Sequence, residues 1–192
     1  MQLPNLISGL RLGTAPTLLW LAWYGYSRTV LVALVVSFAS DVLDGYLARR
    51  LGQTSTLGAR LDSVGDFAIY VTIPLVGWWL WPSIMRREAP YFIAVIASTI
   101  LPPALGYGKF RTITSYHTWA VKLAALLVGG SVILLFAGGS PWLFRLATPV
   151  SVYAALEEIA ITFVLPTSRS NVRSFWHLVG KQAMNRDREL SG

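Results

Sequence analysis

Six apolar segments, each long enough to span a bilayer as a helix, constrain the fold of this 192-residue chain more than any other feature. They lie at roughly residues 6–26, 29–48, 60–81, 90–107, 117–137 and 146–166. A helix needs about 20 apolar residues to cross a hydrocarbon core of about 30 Å. Hydrophobic residues make up 54% of the chain and charged residues 13%, a balance that excludes an ordinary soluble domain. The sequence predicts an all-α integral membrane protein, a single bundle of about six transmembrane helices.

Short breaks rich in Gly, Pro or polar residues separate the segments, and we interpret them as turns and loops. They fall at residues 24–28, 52–56, 82–90, 106–115 and 138–141. Residues 1–166 are therefore predicted to form one transmembrane domain and residues 167–192 a basic cytoplasmic tail. The chain has no cysteine, which excludes a disulfide framework and a thiolate metal site.

Positive charge divides unequally between the two sides that six spans would create. The side with both termini carries eleven Lys and Arg residues, the other side carries four, and Lys122 falls inside a helix. The excess of Lys and Arg marks the cytoplasmic side, so both termini are predicted to face the cytoplasm. The net charge of +7 then needs no nucleic-acid partner, and we interpret the basic tail as facing solvent or lipid headgroups.

Four aspartates occur within 26 residues of the second and third apolar segments: Asp41, Asp44, Asp62 and Asp66. An ionisable residue at the bilayer centre costs about 2.5–3.5 kcal/mol on insertion scales, so four of them need an explanation. The first pair is three residues apart and the second pair four, which places each pair on one face of its helix. Because the connection between the helices is short, we expect antiparallel neighbours whose four carboxylates converge near the cytoplasmic boundary.

Converging carboxylates repel one another unless cations lie between them. Hard oxygen ligands without histidine or cysteine suit Mg²⁺, Mn²⁺ or Ca²⁺, and four carboxylates could hold two ions about 3.5–4 Å apart. Small residues at Gly45, Ala48 and Gly58 leave room for a ligand, and Arg49 would meet a phosphate on it. Taken singly, each of these residues is explained as well by ordinary helix packing or a headgroup contact.

The segment D-V-L-D-G-Y-L-A-R, eight residues, then G-A-R-L-D-S-V-G-D resembles the signature of the CDP-alcohol phosphatidyltransferases at all eight fixed positions. That signature reads D-x2-D-G-x2-A-R-x8-G-x3-D-x3-D. The amino-terminal stretch P-N-L-I-S-G-L-R-L is similar to the first helix of many members, and the six-helix layout fits as well. The resemblance therefore spans most of the chain.

The resemblance implies that an alcohol displaces CMP from a CDP-linked lipid, usually CDP-diacylglycerol, to form a phospholipid. It implies a site with two divalent ions, Mg²⁺ or Mn²⁺, held by Asp41, Asp44, Asp62 and Asp66. Asp66 would also act as the catalytic base. The residues implied to contact the nucleotide or its diphosphate are Gly45, Ala48, Arg49, Ser55 and Gly58. Ser55 lies in the connection between the helices, where Thr54 and Thr56 are alternatives.

Contacts to the acceptor alcohol are predicted in residues 106–122, where Lys109, Arg111 and Lys122 are candidates to bind an anionic acceptor. Positive-inside anchoring is an equal alternative for the first two, and snorkelling for Lys122. Glycerol 3-phosphate is the first prediction. Inositol phosphate, serine, another alcohol, choline or a second lipid remain alternatives. The sequence assigns no role to His117, Glu157 or Glu158.

A second functional class also accounts for intramembrane carboxylates, namely a cation-coupled membrane transporter. It gives no reason for Gly, Ala and Arg at fixed offsets from the aspartates, so the enzyme is preferred. The partners expected for the enzyme are CDP-diacylglycerol, a small alcohol acceptor and membrane lipids. The family resemblance adds a homodimer, and we predict a bacterial inner membrane location with the site facing the cytoplasm.

Overall fold

The computed structural model describes residues 3–51, 56–111 and 118–165, and it describes side chains for residues 13–40, 65, 68–111 and 118–165. Apart from short connections, these residues are helical. The helices are α1 (Leu3–Trp23), α2 (Ser27–Leu51), α3 (Thr56–Leu80), α4 (Pro82–Arg87), α5 (Ala89–Phe110), α6 (Trp119–Phe136) and α7 (Trp142–Val164). The predicted all-α class is confirmed for the described residues.

Three of the helices, α5, α6 and α7, are long and apolar enough to cross a membrane. Shorter apolar stretches lie within α2, at Ser27–Ser40, and within α3, at Ala68–Leu80. The chain is a membrane protein by this measure, whereas the count of six crossings and the cytoplasmic position of the termini stay predictions. The basic tail lies outside the described residues.

The predicted loop at residues 82–90 is wrong, because most of it is helix. Pro82 stands at the start of α4, where its fixed φ suits a helix and its missing N–H would have had no partner. Arg86 and Arg87 occupy the last turn, where positive charge interacts favourably with the helix dipole. The carboxylate of Glu88, which no sequence pattern singled out, is fully buried and accepts a hydrogen bond from Arg87 Nε at 3.0 Å.

Left-handed glycines end two of the helices. Gly25 follows α1 with φ of 77°, and Gly138 follows α6 with φ of 87°. In each case the N–H groups of the glycine and of the residue after it donate to carbonyls in the last turn of the helix. After α6, Gly138 donates to the Leu135 carbonyl at 3.1 Å and Gly139 to the Leu134 carbonyl at 2.8 Å. This is a Schellman motif, which satisfies carbonyls that the helix leaves unpaired. The apolar runs therefore end where glycine permits the turn.

Contacts divide the chain into two compact units, whereas the sequence predicts a single bundle, which stays a prediction. The first unit contains α1 to α4 together with residues 132–140. In it α1 packs against both α2 and α3. Trp23 and Trp79 meet edge to face with centroids 5.6 Å apart, so the carboxyl ends of α1 and α3 lie together and the two helices run in the same direction.

The second unit contains α5, the first part of α6 and α7. Phe92 of α5 and the fully buried Phe144 of α7 lie near the amino ends of their helices, with ring centroids 4.5 Å apart. Buried residues recur every three or four positions along α7 and form one face, which is rich in small side chains, including Ala147, Ser151 and Ala155. Small side chains let membrane helices approach closely.

Gly77 of α3 supplies a test of the first unit. A Cβ at this position would lie 2.8 Å from both Met85 Sδ and Phe136 Cζ, and the Phe136 ring is already stacked on Trp81 at 4.5 Å. We expect Gly77→Val to lower the free energy of unfolding by about 1–3 kcal/mol, the range for overpacking. Thermal unfolding in detergent measures this. Gly13→Val is the matched control, because nothing lies within 4 Å of a Cβ there. Equal melting temperatures for the two variants would contradict the prediction.

Candidate active site

The helical register of α2 relates its aspartate positions to buried residues earlier in the same helix. Val30 and Leu34 are buried, at 0% and 4% exposure. Asp41 follows them by eleven and seven residues, which is about three and two turns of an uninterrupted helix. Ala48 follows Asp41 by a further seven. In the register of the helix, positions 41 and 48 therefore align with Val30 and Leu34.

On α3 the two aspartate positions of the signature lie, in the register of the helix, to one side of the buried face. Gly65, Thr72 and Val76 are buried and follow one another by seven and four residues, so they share one face. Gly58 precedes Gly65 by seven residues and falls on that face too. At about 100° per residue, Asp62 and Asp66 stand about 60° and 100° to one side of it. Positions 62 and 66 thus lie, in the register of the helix, to one side of the buried face of α3.

The donor set on these two helices consists of carboxylates alone, since neither α2 nor α3 contains histidine or cysteine. Hard oxygen donors of this kind fit Mg²⁺ or Mn²⁺ and do not favour zinc. The side chains of the four aspartates, of Arg49 and of Ser55 lie outside the described part of the chain. Among the side chains that are described, no three acidic, histidine or cysteine residues are grouped to hold a metal ion.

Lys109, predicted as an acceptor contact, makes a different set of contacts in the structure. Its Nζ donates hydrogen bonds to the backbone carbonyls of Thr162, Phe163 and Leu165 at 2.9, 3.0 and 3.0 Å. An ammonium group has three protons, and these three bonds use all of them. In this conformation Lys109 caps α7, and its acceptor role stays a prediction that requires those bonds to be exchanged.

Arg111 follows the last turn of α5 in an unusual backbone conformation. Its φ is 57°, the one positive value among the described residues other than glycine. Its N–H donates to the Tyr107 carbonyl at 2.8 Å, which closes the helix end as a left-handed cap. The side chain is exposed. Arg111 therefore presents a guanidinium group at the end of α5, within the segment predicted to contact the acceptor.

The remaining polar candidates lie on α6 and α7. Lys122 is exposed, and its Nζ lies 5.3 Å from the ring centroid of Trp119, one turn earlier on α6. Glu157 is 8% exposed and Glu158 is half-buried, both within α7. His117 lies outside the described residues. These contacts favour the snorkelling alternative for Lys122 without testing its predicted role.

Comparison with known proteins identifies the chain. The profile of the CDP-alcohol phosphatidyltransferase domain matches residues 1–164, which includes every described helix. The chain belongs to the CDP-alcohol phosphatidyltransferase family. The preference for an enzyme over a transporter is therefore confirmed. No solved structure matches the chain significantly.

Relatives of this phosphatidyltransferase carry names with different acceptors. It is 32% identical over 168 residues to a CMP-forming cardiolipin synthase of Streptomyces coelicolor, with 77% of this chain and 71% of that protein covered. It is 31% identical over 133 residues to a CDP-diacylglycerol–glycerol-3-phosphate 3-phosphatidyltransferase of Pseudomonas fluorescens, with 68% of this chain and 62% of that protein covered. The chain thus spans less than two thirds of the Pseudomonas relative.

Proposed function

We propose that this protein transfers the phosphatidyl group of CDP-diacylglycerol to the hydroxyl of an acceptor alcohol and releases CMP. The observation that carries the proposal is that all eight fixed positions of the signature fall on two helices, five on α2 and three on α3. Membership of the family supports the same reaction. The lipid donor also accounts for a membrane-embedded site, because its acyl chains stay in the bilayer.

In this reaction the acceptor oxygen attacks the phosphorus of the phosphatidyl group. A new P–O bond forms, the P–O bond to CMP breaks, and CMP leaves with the electron pair. We assign the departing hydroxyl proton to the Asp66 carboxylate and the diphosphate charge to Arg49, with Gly45, Ala48 and Gly58 packing against the nucleotide. General bases contribute about 10²–10⁴-fold to such steps, and the rest comes from positioning and charge neutralisation.

The carboxylates of Asp41, Asp44, Asp62 and Asp66 would hold the divalent ions. Bound Mg²⁺ or Mn²⁺ supplies neutralisation of the diphosphate and of the charge that develops on the leaving CMP. Asp66 lies about 40° further round α3 than Asp62. That offset suits Asp62 as a ligand of the ions and Asp66 as a residue that would reach both an ion and the acceptor hydroxyl.

For the acceptor we propose a glycerol unit that bears a phosphate group. Glycerol 3-phosphate is the first candidate, as the sequence predicts and the name of the Pseudomonas relative suggests. Phosphatidylglycerol is the second candidate, because cardiolipin contains two phosphatidyl groups joined through glycerol and the Streptomyces relative is named for making it with release of CMP. Because Lys109 is bound to α7, it is not available to neutralise an acceptor phosphate. This favours the second candidate, whose phosphate diester carries a single negative charge, over the more highly charged monoester of glycerol 3-phosphate.

An acceptor assay tests the proposal. Purified protein with CDP-diacylglycerol and Mg²⁺ or Mn²⁺ is expected to release CMP only when a phosphate-bearing glycerol is added. Glycerol 3-phosphate and phosphatidylglycerol are compared directly, with inositol phosphate and serine as further arms and a chelator as the control. Absence of CMP release with every acceptor, from protein that is shown to be folded, would contradict the proposed reaction.

We place the enzyme in the bacterial inner membrane with its site on the cytoplasmic face. The distribution of Lys and Arg supports this orientation. Contacts within each unit are consistent with helices that cross the membrane in alternating directions, since α1 runs parallel to α3 and α5 parallel to α7. A homodimer stays part of the proposal on family resemblance alone.

A further inference from the structure

The bonds of Lys109 join two helix ends that are far apart in sequence. Its ammonium group lies at the carboxyl end of α5, and its three acceptors lie 53 to 56 residues further along the chain, at the end of α7. The Nζ also lies 5.1 Å from the Phe110 ring centroid. A cation at a helix carboxyl end is favoured by the helix dipole as well as by the hydrogen bonds.

These bonds satisfy two carbonyls in the last turn of α7 and the Leu165 carbonyl that follows it. The final carbonyls of a helix have no partner within it, and leaving them unpaired near the bilayer is costly. The Ile161 carbonyl accepts a hydrogen bond from the Leu165 N–H at 3.0 Å, and the Thr162 and Phe163 carbonyls accept hydrogen bonds from Lys109. A lysine from α5 thus does for α7 what Gly25 and Gly138 do for α1 and α6.

The same residue lies two positions before the left-handed cap at Arg111. Glycine occupies the comparable positions after α1 and α6, where it adopts positive φ without strain. At Arg111 the backbone carries a side chain in that conformation, which costs about 1–2 kcal/mol. Something must hold the strained turn, and the attachment of Lys109 to α7 fixes the helix turn that precedes it.

We propose that Lys109 is a positioning residue for the transfer reaction. By attaching α5 to the carboxyl end of α7, it holds the left-handed turn that presents the Arg111 guanidinium to the phosphate of the acceptor. The inference rests on the proposed function, and it differs from the direct acceptor contact predicted for Lys109 from the sequence. Lys109 acts through Arg111 and does not touch the substrate.

A double-mutant cycle tests this assignment. In the wild-type background Lys109→Met is expected to raise the KM for the acceptor by about tenfold and to leave the KM for CDP-diacylglycerol within about twofold. In the Arg111→Gly background the same change is expected to add less than about twofold, because the residue through which it acts is gone. A full additional loss in that background would overturn the proposal and show a direct contact.

A second variant keeps the test valid if the methionine variant does not fold. Lys109→Gln has no charge but offers two amide protons to the α7 carbonyls. It is expected to retain most of the affinity for the acceptor, whereas a direct charge contact predicts the same loss as for methionine. Amide exchange at Leu165 is expected to quicken in Lys109→Met, and unchanged exchange would also overturn the proposal. CMP release by the wild-type protein, measured alongside, tests the underlying reaction separately.

Discussion

Replacement of Asp66 by asparagine is expected to lower the rate of CMP release by about 10³-fold or more, because it removes a carboxylate from the metal set together with the general base. Asparagine keeps the size of the side chain and its hydrogen-bonding oxygen, but it cannot accept the acceptor's proton. The rate is measured in detergent or vesicles with saturating CDP-diacylglycerol, acceptor and divalent metal. The apparent affinity for metal is measured in the same series.

A matched control separates this effect from a general cost of changing acids in membrane helices. Glu157→Gln makes the same carboxylate-to-amide change at a buried position of α7 that lies outside the signature. It is expected to retain CMP release within about tenfold, since Glu157 is not part of the assigned machinery. If the Asp66→Asn variant retained a tenth of the wild-type rate, Asp66 would not be the base.

The helices were predictable from the sequence because their signals are local. Runs of about 20 apolar residues and glycine breaks such as Gly25 and Gly138 fix where helices extend and end, and the structure follows them. The short helix α4 was missed because Pro82 and the charged residues after it read as a loop. In a helix of six residues, Pro82 suits the first turn and the two arginines suit the last turn.

The aspartate site stays a prediction that rests on helix geometry, whereas the contacts on the acceptor side could not be predicted from the sequence. Spacings of three and four residues depend only on helix geometry, so the faces of α2 and α3 could be worked out before any contact was known. The partners of Lys109 are backbone carbonyls more than 50 residues away, which no side-chain pattern marks. The left-handed backbone of Arg111 could not be predicted from the sequence either, since arginine is not a residue typical of such a turn.

Arg111→Gly is expected to change stability and activity in opposite directions. Glycine adopts the left-handed conformation without the cost that a side chain brings, so we expect the melting temperature to stay the same or to rise by about 2–4 °C, equivalent to about 1 kcal/mol. Loss of the guanidinium removes a charge-assisted contact worth about 1.5–3 kcal/mol, or about 10- to 100-fold in acceptor KM. Melting curves and acceptor kinetics on the same preparations measure both.

Arg111→Ala completes the comparison, because alanine removes the guanidinium but keeps the Cβ that makes the left-handed turn costly. It is expected to lose as much affinity for the acceptor as the glycine variant and to melt below it. A glycine variant with unchanged acceptor KM would show that the side chain does not contact the acceptor. A residue whose replacement by glycine improves the fold while impairing the reaction is retained for its chemistry, and among the described helix ends Arg111 is the position where these two requirements conflict.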